Sequence, residues 1–120
     1  MEPPSITPLI GVVGSCGSGK STLIAGLEKL GYRCRHIAQE HSYVQAMWQI
    51  VSKPDILIYL GASFPVSTQR TKLDWQVKDY REQLRRLTHA HEHAHLVVNT
   101  DDLTPEQVLQ QVLDYLEGLS

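Results

Sequence analysis

The sequence predicts an α/β domain in three layers, with a small parallel sheet of about four strands between helices. Short apolar runs alternate along the chain with segments whose apolar residues recur at helical spacing. Strands that alternate with helices form parallel sheets, and their crossovers place the helices on the faces of the sheet. The length of 120 residues, 42% of them apolar, fits one domain. We expect this domain at residues 8–120, after a proline-containing tail at residues 1–7.

The first half of the chain predicts two strands and two helices. Residues 9–13 are apolar throughout, as in a buried parallel strand, and lead directly into a glycine-rich stretch. The helix that follows has one apolar face, and Gly31 is placed as its C-terminal cap. Residues 32–38 are more polar and predict a strand nearer the sheet edge. Ser42 predicts the cap of a second helix, which ends at Pro54 because proline cannot continue a helix.

The second half predicts two further strands and two helices. Residues 55–60 form an apolar strand and residues 61–65 a turn, whereas residues 96–99 form the last strand. Thr104 and Gln107 predict the capped start of the final helix. One long helix is expected over residues 67–88, because apolar residues recur there every three or four positions. These residues are Leu73, Val77, Tyr80, Leu84 and Leu87. This stripe can pack on its own sheet or on a second subunit, so a homodimer stays open.

The glycine-rich stretch matches the pattern G-x-x-x-x-G-K-[ST] between a predicted strand and a predicted helix. Glycines allow a tight turn that brings backbone N–H groups against phosphate oxygens, and the helix N-terminus adds its positive dipole end. Lys20 suits the β- and γ-phosphates of a nucleotide, and the Ser21 hydroxyl is the predicted Mg²⁺ ligand. The stretch therefore predicts a nucleoside triphosphate site. Its expected binding residues are Gly14, Ser15, Cys16, Gly17, Ser18, Gly19, Lys20, Ser21 and Thr22.

Together with this loop, two segments make the chain resemble the kinase-like P-loop NTPases, a group that includes nucleoside, shikimate and gluconate kinases. The segments are PDILIYL at residues 54–60 and LVVNTDDLTPEQV at residues 96–108. The resemblance implies a P-loop NTPase fold, Mg-ATP as the phosphoryl donor, and a loop beside adenine after the last strand. The chain is shorter than these kinases usually are and shows no separate substrate-binding insertion. The expected activity is phosphoryl transfer to a small metabolite.

Three residues are predicted to be catalytic: Lys20, Glu40 and Arg70. Glu40 follows the second strand, and the resemblance to nucleoside kinases implies that a glutamate at this place is the catalytic base. Alternatively, Glu40 is an acidic residue in the first turn of the next helix, where a negative charge is favoured. The resemblance also implies a lid whose arginines clamp the phosphoryl group. The basic residues in the corresponding place are Arg70 and Lys72, which are the candidate contacts. The alternative for both is a solvated basic face. The third strand ends Leu60-Gly61-Ala62-Ser63 without an acid, which favours a second prediction, a nucleotide-binding switch with slow or no hydrolysis.

Other patterns limit the function further. A net charge of −2 argues against a nucleic-acid partner. No apolar run approaches the ~20 residues of a membrane span, and the first residues do not resemble a signal peptide, so a cytoplasmic protein is expected. The two cysteines, Cys16 and Cys34, predict reduced thiols with neither disulfide nor metal spacing.

Two polar clusters leave alternatives open. The alternating histidines His89, His91, His93 and His95 would face one way on an extended chain and could bind Zn²⁺, whereas a helix would spread them apart. Asn99 and Asp102 have the Asn-x-x-Asp spacing by which GTPases recognise guanine, but Thr100 stands where lysine is expected. ATP is therefore the expected nucleotide.

Overall fold

The structure, a computed structural model, describes residues 8–72 and 74–119. Its strands are β1 (Leu9–Gly14), β2 (Arg33–His36), β3 (Ile56–Gly61) and β4 (Leu96–Asn99). Its helices are α1 (Lys20–Lys29), α2 (Phe64–Thr71), α3 (Val77–Arg86), α4 (Thr88–His93) and α5 (Pro105–Gly118). The predicted tail at residues 1–7 and the predicted stripe residue Leu73 lie outside the described residues.

The four strands form one parallel sheet in the order β2-β1-β3-β4. The α/β class and the small parallel sheet that the sequence predicts are thus confirmed, and the polar strand β2 lies at an edge as expected. β1 and β3 occupy the centre, where both faces are covered, and this position explains why both are apolar throughout. Their carboxyl ends therefore lie side by side, in register from Ile10 opposite Ile56 to Gly14 opposite Leu60.

Helices pack on both faces of the sheet. Ile56, Ile58 and Leu60 point to one face, where they join the buried residues of α1 and α5 in a core. Leu57 and Tyr59 alternate with them and so face the other way. On that side they pack with Trp48, Leu87 and Ala90 in a second core. Within residues 8–72 and 74–119, no helix is both long enough and apolar enough to span a bilayer.

The prediction of a second helix capped by Ser42 is wrong. The chain instead makes a 3₁₀ turn at Gln39–His41, irregular turns and a π-helical turn at Trp48–Ser52. Side-chain hydrogen bonds of the buried Gln39 replace the helical ladder here. Its Oε1 accepts from the Trp48 N–H, and its Nε2 donates to the carbonyls of Val44 and Arg86. The buried amide of Gln39 thus links both ends of segment 39–48 to each other and to α3.

The prediction of a single long helix at residues 67–88 is also wrong, and so is the predicted turn at residues 61–65. α2 begins earlier, at Phe64, because the Ser63 hydroxyl accepts from the Val66 N–H. It ends at Lys72, which adopts the left-handed conformation with φ 56°. α3 starts afresh where the Asp79 carboxylate accepts from the Gln76 N–H. The expected stripe is therefore divided: Val77 and Leu84 are exposed, and Leu87 is buried.

Candidate functional site

The glycine-rich loop, defined here as residues 14–19, connects β1 to α1 and is closely packed by its neighbours. A Cβ at Gly14 would overlap the carbonyl oxygen of Leu60 on β3. Gly17 has φ 78°, and a Cβ there would lie 2.8 Å from the carbonyl oxygen of Ser67 on α2. Only glycine fits these two positions without displacing the backbone of β3 or α2. The additional glycine at residue 17 thus lets α2 pack directly on the loop.

The loop leads into an N-terminus of α1 that lacks a side-chain cap. Gly19 occupies the cap position, so the first N–H groups of the helix receive no oxygen from a capping side chain. The hydroxyls of Ser15 and Ser18 are buried within the loop, and neither finds a hydrogen-bond partner among the described residues. Buried hydroxyls are normally satisfied. Unused donors beside a helix N-terminus are what an anion would engage.

Lys20 and Glu40, both predicted as catalytic, form a buried ion pair at this loop. The Lys20 Nζ lies 3.0 Å from the Glu40 Oε2, and both side chains are more than nine-tenths buried. Nζ also donates to the carbonyls of Gly14 and Ser15, at 2.7 and 3.1 Å. The other carboxylate oxygen of Glu40, Oε1, has no hydrogen-bond partner in the described part of the chain. Topology brings the pair together, because β1 and β2 are adjacent and parallel.

The charge of Glu40 also affects the pKa of Tyr59, a residue of the second core. Burial is the main cause that raises the pKa of Tyr59 to about 12, with smaller contributions from Tyr80 and Glu40. The Tyr59 hydroxyl therefore stays protonated near neutral pH, so it adds no second anion beside Glu40.

Two pockets flank the glycine-rich loop. The first, the Glu40 groove, has a volume of about 420 Å³ and is lined by residues 16–22 together with His36, Glu40 and Thr71. The second, the Thr100 pocket, has a volume of about 300 Å³. Ser18, Gly19, Thr22, Leu23, Arg70, Thr100, Leu103, Pro105 and Val108 line it. The loop therefore separates two pockets, and Ser21 lines the one that contains the Lys20–Glu40 pair.

The third predicted catalytic residue, Arg70, lines the Thr100 pocket and not the Glu40 groove. Its Nη1 donates to the Gly17 carbonyl at 3.1 Å and to the Thr100 Oγ1 at 2.9 Å. Its Nη2 donates to the Thr100 carbonyl at 2.6 Å. The guanidinium thus joins the loop to the end of β4, and the structure does not bring Arg70 together with Glu40.

Thr100 is a residue that sequence reasoning assigned no role. Its Oγ1 lies within hydrogen-bond distance of the Ser18 carbonyl, at 3.1 Å, and of the Gly61 carbonyl, at 3.2 Å. A buried residue directly after an apolar strand could have been identified from topology, because the carboxyl ends of parallel strands collect at one edge. Thr100 thereby fixes the position of the loop relative to β3 and β4.

The carboxylate and amide beside Thr100 serve the backbone. Asp101 Oδ1 accepts from the Ser63 N–H just after β3, where the sequence itself supplies no acid. Asn99 Oδ1 accepts from the Asp101 N–H. Neither Asn99 nor Asp102 is among the residues that line the Thr100 pocket. The Asn-x-x-Asp spacing therefore does not present a guanine-reading pair to that pocket.

Gln83, on α3, also went unnoticed in the sequence. Its Oε1 accepts from the Cys16 N–H at 3.0 Å, and its Nε2 donates to the Cys16 Sγ at 3.1 Å. The Cys16 Sγ lies 3.9 Å from the His41 Nε2. Sixty-seven positions separate Cys16 and Gln83, and nothing in the local pattern around Gln83 marks the contact. One buried glutamine on α3 thus holds the middle of the loop.

The four histidines lie on α4 and just before β4, where His89 and His93 stack on each other with ring centroids 4.2 Å apart while His91 and His95 make other contacts. The His89 Nδ1 accepts from the Trp48 Nε1, and the His95 Nδ1 accepts from the Leu57 N–H. The His91 ring packs edge-on against Tyr59. Among the described residues, three metal-ligating side chains converge only at Cys16, Glu40 and His41. The metal expectation for the four histidines thus has no support from their arrangement.

Comparison of the sequence with known protein families and with curated proteins gives no match.

Proposed function

We propose that this chain binds Mg-ATP at the glycine-rich loop and transfers the terminal phosphoryl group to a small metabolite, as a compact kinase-like P-loop NTPase. The observation that carries the proposal is the buried Lys20–Glu40 pair, which puts a phosphate-seeking cation and a carboxylate in one groove. Phosphoryl transfer requires positioning and charge stabilisation more than covalent chemistry. A glycine loop, a helix N-terminus, one lysine and one carboxylate provide these elements.

The phosphates are assigned to the glycine-rich loop and the start of α1. The uncapped helix end provides donors for an anion, and Ser18, whose hydroxyl has no partner among the described residues, lines the groove. Lys20 would exchange its contacts with Glu40 and the two carbonyls for phosphate oxygens. The anion thus replaces the partners that satisfy the ammonium in its absence.

The magnesium site is assigned to the same groove. Oxygen ligands suit Mg²⁺, and the Ser21 side chain lines the groove. When bound, Mg²⁺ would neutralise charge on the phosphates. Ser21 is the proposed ligand, and Glu40 is within the same lining.

The adenine is assigned to the Thr100 pocket, on the other side of the loop. Leu103, Pro105 and Val108 give it the apolar walls that a base requires. This leaves the Glu40 groove for the acceptor, whose hydroxyl proton Glu40 would take. Arg70 is held against the loop at Gly17, and we propose that it stabilises the transferred group, a role that requires its guanidinium to leave Thr100.

A second function, a nucleotide-binding switch, is favoured by one specific observation. Phosphate binding would separate Lys20 from Glu40, and Glu40 lies in segment 39–53, which holds only a 3₁₀ turn at Gln39–His41 and a short π-helical turn at Trp48–Ser52. The segment carries exposed apolar side chains, among them Tyr43 and Val51. A change in the ion pair would therefore be transmitted to a surface suited to a partner.

A label-transfer assay separates the two functions. Protein, Mg²⁺ and γ-labelled ATP are incubated with a pool of small hydroxylated metabolites, beside Glu40→Gln and Lys20→Ala variants. For a kinase we expect label on an organic product, absent with Glu40→Gln although this variant still binds ATP. Lys20→Ala should weaken ATP binding by at least about tenfold, since it removes a charge-assisted contact.

The outcomes are distinguishable. Label that stays on ATP, or that is released as phosphate at equal slow rates by wild type and Glu40→Gln, would favour the switch. Unchanged ATP affinity in Lys20→Ala, measured by calorimetry, would contradict the phosphate-loop assignment and with it both functions.

A further inference from the structure

Three side chains with metal-binding atoms meet beside the glycine-rich loop. Cys16 comes from the glycine-rich loop, and Glu40 and His41 come from the 3₁₀ turn after β2. One ligand atom from each lies within 4.8 Å of the other two. The Cys16 Sγ is 3.9 Å from the His41 Nε2, and that nitrogen is 3.7 Å from the Glu40 Oε2. We propose that Cys16, Glu40 and His41 form a zinc site, separate from the magnesium assigned to Ser21.

The chemistry of the three ligands selects the ion. A thiolate and an imidazole bind Zn²⁺ well, whereas Mg²⁺ prefers oxygen ligands alone. Zinc bonds of about 2.3 Å to sulfur and about 2.0 Å to nitrogen or oxygen place ligand atoms roughly 3.5 Å apart in a tetrahedral site. The distances of 3.9 and 3.7 Å are therefore a few tenths of an ångström from those that zinc requires.

Two further observations point to a ligand at this cluster. The Glu40 carboxylate is buried to more than nine-tenths, yet its Oε1 has no partner among the described residues. Buried carboxylate oxygens without a partner are costly, so this carboxylate keeps an unused acceptor. Its other oxygen, Oε2, is the one 3.7 Å from the His41 Nε2 and 3.0 Å from the Lys20 Nζ, so zinc would compete with Lys20 for it. Gln83 Nε2 donates to the Cys16 Sγ at 3.1 Å and so orients the sulfur, as outer hydrogen bonds do for metal ligands.

The site is accessible and incomplete, because it has three protein ligands. The His41 side chain is 60% exposed, so an ion can reach the cluster from solvent and the ring can adjust its position. Three protein ligands leave a fourth position for water or another molecule, the arrangement of open zinc sites. Lys20 shares the Glu40 carboxylate, and its positive charge opposes a second cation there. Removal of that charge should therefore strengthen zinc binding.

The test is zinc binding to the untagged chain, measured by competition with a chromophoric chelator under reducing conditions. We expect one zinc per chain, weakened by more than about 100-fold in Cys16→Ser and in His41→Ala, since changes outside the ligand set alone cost 10- to 100-fold. Cys34→Ser is the matched thiol control and His93→Ala the matched imidazole control, and both should bind zinc as wild type does. Lys20→Ala should bind zinc more tightly.

A second measurement does not depend on variants that fold. Cobalt added to the wild-type chain should give the thiolate-to-metal absorption band, and zinc should slow alkylation of Cys16 but not of Cys34, as mapped by peptide mass spectrometry. Zinc that binds equally well to Cys16→Ser, or that is lost only in His93→Ala, would overturn the proposal, as would cobalt spectra without a thiolate band. None of these readouts requires that the groove bind ATP, so failure of the nucleotide proposal would leave the zinc result intact.

Discussion

At the scale of single residues, Lys20 places a charged ammonium in the interior among three oxygens of Gly14, Ser15 and Glu40. Removing a lysine and a glutamate from water costs several kcal/mol each, and their mutual attraction offsets that cost only when the remaining polar atoms are satisfied. Glu40 Oε1 is not satisfied within the described residues. The pair is therefore a costly arrangement for stability alone, which fits a site that exchanges partners when a ligand binds.

The free energy of unfolding should reflect the cost of burying the Lys20–Glu40 pair. Glu40→Ala leaves the buried ammonium without its anion and should lower the free energy of unfolding by about 3 kcal/mol, the range for a broken buried pair. The double change Lys20→Met with Glu40→Met removes both charges and should lower it by less. Urea unfolding of the wild type, Lys20→Met, Glu40→Met and the double variant provides the cycle. A double variant destabilised by the full sum of the single effects would mean that the two charges do not interact.

At the scale of elements, the glycine-rich loop is held between α2 and α3. α2 covers Gly17 so closely that a Cβ would meet the Ser67 carbonyl, and α3 supplies Gln83 to both the N–H and the sulfur of Cys16. Both helices belong to the region after β3 that the sequence predicts as one long helix. The interruption at Lys72 is what lets two short helices approach the loop from different directions.

Gln83 can be tested as the residue that shapes the loop. Gln83→Leu keeps an apolar body of similar size but leaves the Cys16 N–H unpaired, and an unpaired buried donor costs about 1–3 kcal/mol. We expect a lower midpoint of urea unfolding and ATP binding weakened by about tenfold. Gln111→Leu, on the exposed face of α5, is the matched control and should change neither quantity. ATP affinity unchanged in Gln83→Leu would show that the loop keeps its shape without this contact.

At the scale of the whole molecule, the parts predicted well are those encoded by neighbours in sequence. The apolar runs of β1 and β3 specify buried parallel strands, and the final helix starts where Thr104 and Gln107 exchange hydrogen bonds in a capping box. The Lys20–Glu40 pair follows from the loop pattern plus adjacency of parallel strands. Segment 39–53 and the α2–α3 break depend on Gln39 and Lys72, whose roles are set by distant contacts or by unusual backbone angles. Periodicity does not encode either.

Stability of the whole chain should decline at alkaline pH. Burial raises the pKa of Tyr59 from 10.0 to about 12, and burial together with Glu28 raises that of Cys34 from 9.0 to about 11. Both groups stay protonated in the folded chain after the unfolded chain has lost the proton. Their contribution is complete below about pH 9 and is lost as the pH rises towards about 12. Tyr59→Phe should flatten the upper part of this decline in urea unfolding at a series of pH values; an identical slope in the variant would contradict it.

The contacts of Thr100 have a consequence for how the two pockets communicate. The Thr100 hydroxyl lies within hydrogen-bond distance of the Ser18 carbonyl, and the Thr100 carbonyl accepts from Arg70. Thr100 also lines the Thr100 pocket. A group that enters this pocket therefore touches the hydrogen-bonded unit that fixes the loop, with no hinge between them. The same residue is the partner that Arg70 would have to leave in the role proposed above. Filling the Thr100 pocket would thus act on the contacts that hold both the loop and Arg70, so that what occupies one pocket bears on how the other is shaped.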